Sequence, residues 1–163
     1  MTTWNEFAAA APVVAGVFRS RHAANDELCL LGTLRADGFP RICPLEPRLF
    51  EGELVVGGMP GTRKFDDLRR DPRFTLHTAT TDRFVSDGDA KLWGRVRDVR
   101  DPELHRRFAD MLFDRVGLDV RGQPFGFFPV AEILGGSCVR RRDGHLDVTV
   151  WRGSGAEETI RKR

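Results

Sequence analysis

At 163 residues, with 40% apolar and 31% charged side chains, the chain has the size and composition of one globular domain with a real core. A net charge of +2 over 23 Arg, 3 Lys and 24 acids, interleaved in runs such as RRDPR, argues against a polyanion-binding stripe and hence a nucleic-acid partner. Cys29, Cys43 and Cys138 are odd in number and far apart, which excludes a disulfide framework or thiolate metal site, and no apolar run approaches the ~18 residues of a membrane span. With no basic-then-apolar leader, the expected compartment is the reducing cytoplasm.

Thr3 to Glu6 spells a capping box, and Pro12 opens a second helix with Val13, Val14, Val17 and Phe18 as its apolar positions. This helical segment, residues 1–25, is expected to pack over a core built by the rest of the chain. From Glu27 the texture changes to short apolar or alternating runs, 27–35, 40–50 and 53–58, separated by ADG and EG. That is a meander of antiparallel strands with tight turns. Pro44 and Pro47 place the second run at a sheet edge, or against something other than a strand.

Next comes a short helix with an anomaly. Thr62 can act as N-cap, Phe65 and Leu68 form an apolar stripe, and Asp71-Pro72 ends the segment. Arg63 and Lys64 occupy its first two positions, where the dipole disfavours a cation by about 0.3–1 kcal/mol each. Two readings compete. The pair is either solvated surface charge, or it shares one anion with the free N–H groups at the helix start. Gly57, Gly58 and Gly61 just before it allow close backbone approach, as a phosphate cradle needs. It is not a Walker loop, because Thr precedes the basic pair instead of coming after it.

A fourth strand spans 73–80, with Phe74, Leu76 and Thr78 on one face. After a polar loop at 80–88, the fifth strand puts Ala90, Leu92, Gly94 and Val96 on one face and Lys91, Trp93, Arg95 and Arg97 on the other. The second face mixes an aromatic with charges, as an interface does. Asp101-Pro102-Glu103 opens a helix with Leu104, Phe108, Met111 and Leu112 on one side, ending near Gly117. A Gly/Pro loop at 117–125 and two strands, 125–136 and 145–151, complete one mainly β domain over 1–163 with peripheral helices. A sheet of this many strands hides its edges best by closing into a barrel. Little room remains inside, so a ligand belongs on the outside or between subunits. The histidines, at 22, 77, 105 and 145, are scattered without metal spacing, and no GxSxG elbow is present, so no catalytic side chain and no metal site is assigned. Glu46 is the one carboxylate to watch.

The stretch VVGGMPGTRKFDDLRRDPRFTLH resembles the strand, Gly-[Ser/Thr]-Arg-Lys helix and Asp/Asn-Pro-Arg strand of the pyridoxamine 5'-phosphate oxidase-like flavoproteins. TLRADGFPRI, DGDAKLWGRVRDVRDPE and a terminal strand ending in Trp keep the same order. The resemblance implies a split β-barrel of six to eight antiparallel strands. It also implies a homodimer that binds FMN, or in some branches the deazaflavin F420, at the subunit interface. Carried over by position, it makes Arg63 and Lys64 phosphate ligands aided by Thr62, and lines the cofactor with Gly57 and Gly58. Arg41 would run beside the ring and phosphate, Lys91 would add a polar contact, and Trp151 and Arg161 would reach the partner's cofactor. The match stops at the vitamin B6 half of the family pattern: the chain has no Tyr, and EETIRKR stands where an Arg-x-His motif is expected. The implied activity is hydride transfer to a small planar acceptor other than a B6 phosphate, through an opening walled by loops 80–88 and 117–125. The alternative is a non-catalytic carrier of flavin, F420 or a tetrapyrrole such as haem.

Overall fold

The computed structural model describes residues 1–162. Two helices come first, α1 (Trp4–Ala10) and α2 (Pro12–Ala24), then β1 (Cys29–Leu34), β2 (Pro40–Leu45), β3 (Arg48–Phe50) and β4 (Glu53–Gly58). Helix α3 (Arg63–Arg70) leads to β5 (Arg73–Thr78) and β6 (Asp89–Val96). Helix α4 (Pro102–Val116) precedes β7 (Gly126–Arg142), β8 (His145–Trp151) and β9 (Glu158–Lys162). All pairings are antiparallel, in the order β2-β1-β5-β6-β7-β4-β3, with β8 on β7 and β9 on β8. This is the split barrel expected, with its helices outside the sheet and nine strands instead of six to eight, because the run 40–50 divides in two and residues 158–162 add a strand.

Strand β7 joins the two halves. Its start pairs with β4 and its end with β8, while β6 runs along most of its length through two register shifts. Gly94 sits at one shift, where a Cβ would lie 1.9 Å from the Glu132 carbonyl oxygen, so only glycine allows the bend. The run 40–50 divides at Glu46-Pro47 into β2 and β3, the two ends of the strand order. Both prolines thus meet the edge requirement, and the bend carries the chain from one sheet to the other. Strand β9 has no apolar alternation of its own and exists because it pairs with β8.

The larger core joins Trp4, Phe7 and Phe18 from the N-terminal helices to Leu31, Leu76, Leu92, Phe128 and Ile133 on the inner sheet face. A smaller one, with Phe50, Val55, Phe108, Leu112 and Phe127, lies under α4. The capping box at Thr3 forms as expected. Helix α2 has no side-chain cap of its own; the Glu157 carboxylate accepts from Val13 N (3.0 Å) and Val14 N (2.7 Å) instead. A remote carboxylate therefore serves both the orphan donors and the dipole. No helix among the described residues is long and apolar enough to cross a membrane.

All three cysteines are unpaired, and burial pushes the Cys29 thiol up to about 12 and Cys138 upward too. Since the thiolate is the reactive form, only the half-buried Cys43 is expected to react with an aromatic disulfide reagent in the native protein. All three should react in denaturant. Fast native reaction of more than one thiol would contradict this packing.

Candidate functional site

The site is built around the start of α3. That helix is held to the sheet by Asp67, whose carboxylate accepts from Thr33 Oγ1 (2.9 Å) on β1, Arg41 Nε (2.6 Å) on β2 and Arg70 Nη2 (3.2 Å). Burial alone would push the Asp67 carboxyl up, but the hydrogen bonds from Arg41, Thr33 and Arg70 outweigh it and hold it low. Asp67 stays ionised and the N-terminus of α3 is fixed.

At that N-terminus the polar groups are under-used. Thr62 is extended, and its carbonyl accepts from Phe65 N (3.0 Å) and Asp66 N (3.3 Å). Its hydroxyl makes no cap bond, and the Oγ1 atom is buried without a partner. The first N–H groups of a helix likewise have no intrahelical acceptor. The Lys64 ammonium rests 5.0 Å over the Phe65 ring and has no carboxylate within 4 Å among the described residues. Arg63 is 82% exposed on its side chain and only 3.9 Å from Asp66. Buried hydroxyl, free N–H groups and unpaired ammonium are thus donors without an acceptor, gathered at one helix end.

Lys64 also lines a cleft of about 370 Å³, with Gly57, Gly58 and Met59 at the end of β4. Phe108 and Leu112 of α4, and Leu118, Val120 and Phe125 after it, form an apolar wall. A Cβ on Gly57 would press on the Gly126 carbonyl (3.3 Å) and the Phe108 ring (3.4 Å), so that glycine sets how closely β4 approaches α4. Glu46 and Arg48 stand on the lining beside Pro44 and Leu45. Loop 117–125 is a wall, as expected, although mostly an apolar one. Loop 80–88 is not; it lines a separate cleft near the β7–β8 turn.

Of the expected ligands, Gly57, Gly58 and Lys64 share the cleft, and Thr62 and Arg63 flank Lys64. The others lie elsewhere. Arg41 is occupied by its ion pair with Asp67 and braces α3 rather than lining the cleft. Lys91 lies on the outer sheet face, in register with His77 and Ser137. Trp151 is a correction: it is 2% exposed, packs edge-on against Phe7, and its Nε1–H donates to the Gly155 carbonyl (3.1 Å). It is core, with no surface left for a cofactor. Arg161 is on β9, 3.5 Å from Asp147 Oδ1, away from this chain's own cleft.

No protein-family model matches the sequence, and no curated protein matches it. Solved structures do. A pyridoxamine 5'-phosphate oxidase-related, FMN-binding protein of Nostoc punctiforme aligns at TM-score 0.68 and 12% identity, over 91% of this chain and 95% of that one. PhzG of Burkholderia lata, solved with tetrahydrophenazine-1-carboxylic acid, aligns at 0.61 and 11%, over 94% and 93%. A heme-binding protein of Mycobacterium smegmatis aligns at 0.59 and 16%, over 84% of this chain and 57% of that one. This chain has the fold of the pyridoxamine 5'-phosphate oxidase-related proteins.

In this split barrel the outer face of the larger sheet carries a second feature. Leu30, Ile42, Trp93, Val150 and Ile160 fall on one side of their strands, opposite the core, and Ile42 is 70% exposed. Trp93 lies flat on Gly135, where a Cβ would come within 2.3 Å of the indole. Lys91, His77 and Arg95 share this face, so it mixes an aromatic and aliphatic side chains with charges, as an interface does.

The cleft wall was not legible in the sequence. Phe108 and Leu112 read as core positions of a helix, and nothing local indicates that Phe108 meets Gly57. The smaller core decides that.

Proposed function

We propose that the chain binds a phosphate-bearing flavin, FMN or the deazaflavin F420, and acts as an oxidoreductase on a small planar acceptor. The observation that carries this reading is the buried, unpartnered Thr62 hydroxyl beside the unpaired Lys64 ammonium, at the mouth of an apolar cleft. Thr62, Lys64 and the α3 N–H groups would hold the phosphate, with Arg63 closing over it from solvent. The Phe108, Leu112 and Phe125 wall would exclude water from the ring and fix its plane. A bound flavin or deazaflavin supplies the hydride transfer, which suits a cleft without a nucleophile–base pair. Glu46, the one carboxylate on the lining, would be the group to hold a proton near a bound ring. A haem carrier would have to use the Met59 thioether as its axial ligand, because the lining contains no His, Cys or Tyr.

The test is spectral. Purified protein titrated with FMN, F420 and haemin is expected to perturb the flavin or deazaflavin band saturably and to leave haemin without axial ligation. The reduced complex should then be reoxidised faster by quinones or nitro-aromatics than in buffer. Binding without acceleration by any acceptor would make the protein a carrier, and binding of haemin alone would overturn the reading.

The proposed unit is a two-fold homodimer, joined through the outer sheet face, with both chains beside each cofactor. Ile42→Asp puts a charge on the exposed β2 edge of that face. It should convert an assembly of two 18.4-kDa chains to monomer by light scattering and weaken flavin binding at least tenfold. A wild-type monomer with full flavin affinity at micromolar concentration would contradict the dimer.

A further inference from the structure

The charge alternation along the sequence conceals a concentration of cations in space. Most Arg side chains have a carboxylate within 4 Å; among the described residues Arg19, Arg83, Arg140, Arg141, Arg142, Lys64, Lys91 and Lys162 have none. Five of these eight, Arg83, Arg140, Arg141, Arg142 and Lys162, lie at or beside the β7–β8 turn, from loop 80–88, the end of β7 and the end of β9. Nearby acids offset part of this charge. Asp82 accepts from Phe84 N (2.6 Å) and Ser86 N (3.3 Å), Asp87 pairs with Arg21, and Asp147 lies by His145 and Arg161. Asp143 is exposed in the turn.

Three of these cations, Arg83, Arg141 and Lys162, line a concave site. Arg83, Phe84, Arg141, Leu146 and Lys162 line a cleft of about 300 Å³. Phe84 is 52% exposed, with the Arg83 and Arg141 guanidiniums 4.5 and 5.7 Å from its ring centre. Arg141 is further held by its Nη1 donating to the Phe84 carbonyl (3.3 Å). An apolar floor under a cationic rim, at the volume of a small ligand pocket, is built for one molecule rather than a long polymer. We propose that this cleft is a second binding site, separate from Lys64, for a small organic anion with a planar apolar body bearing a phosphate or carboxylate.

The test is nitrogen-15 amide NMR of the full chain with phenyl phosphate, benzoate and uncharged benzyl alcohol as probes. Saturable shifts confined to 83–85, 141–146 and 162 are expected with at least one anion and not with the alcohol. The stronger of the two anion responses identifies the ligand class. Arg141→Gln with Lys162→Gln, both at the protein surface, should weaken that binding at least tenfold with an unchanged remainder of the spectrum. Equal response to benzyl alcohol, or full affinity in the double variant, would overturn the proposal. So would silence towards both anions, including the case where a single-stranded oligonucleotide alone binds. The Lys64 cleft reads out at different amides, so failure here leaves the flavin reading untouched.

Discussion

Changing Arg63 and Lys64 together to alanine is expected to weaken FMN binding by about 3–6 kcal/mol, at ~1.5–3 kcal/mol for each charged hydrogen bond. In a fluorescence titration that is a rise in Kd of about two to four orders of magnitude. Stability should hardly move. Removing two cations from the first turn of α3 relieves a dipole penalty of about 0.3–1 kcal/mol each. Losing the Lys64 contact with Phe65 gives back a similar amount, about 0.5–1 kcal/mol. The thermal midpoint is therefore the internal control, and lost affinity with an unchanged midpoint is the signature of a ligand role. Unchanged affinity would return both residues to solvated surface charge, and with them the phosphate cradle would go. Thr62→Val should give a smaller loss in the same direction, because it removes the one buried hydroxyl without altering charge.

The second large effect belongs to Trp151, where the family resemblance and the packing disagree. Trp151→Ala should cost about 3–5 kcal/mol through lost burial and an unfilled cavity next to Phe7. For a domain this size that lowers the thermal midpoint by about 6–20 °C. Against a typical total stability of about 5–15 kcal/mol, the variant is marginal. Trp151→Phe keeps most of the volume and gives up the hydrogen bond to Gly155, so it folds and can be assayed. If Trp151 is core, the Phe variant binds FMN as wild type does. A Phe variant of near-native stability that has lost FMN affinity would restore the cofactor role.

Local physical chemistry made several elements legible in the sequence. Helix α3 is bounded by Thr62 and Asp71-Pro72, signals that act within one turn. The inward faces of β5 and β6 come from alternation alone: Phe74, Leu76, Ala90, Leu92 and Val96 are all buried. Pro44 lacks a donor, as an edge strand allows, and Pro47 stands in the bend between β2 and β3, the two ends of the strand order. The cation pair at 63 and 64 stands out because it violates a rule that operates over a few residues.

What the tertiary structure decided are contacts between residues distant in sequence, where local pattern carries no information. Arg41 meets Asp67 because β2 lies beside α3, and that ion pair turns an expected ligand into a brace. The cleft wall depends on α4 docking over β4 and β7, which brings Phe108 to Gly57. Trp151 reads the same whether it faces a partner or the core, until α1 places Phe7 on it. The cations at 83, 141 and 162 each stand near an acid in the sequence, yet pairing of β7 with β8 and of β8 with β9 leaves them together, with Asp82 and Asp147 engaged elsewhere. Composition could balance those charges along the chain, but only the sheet register determined which of them share a surface.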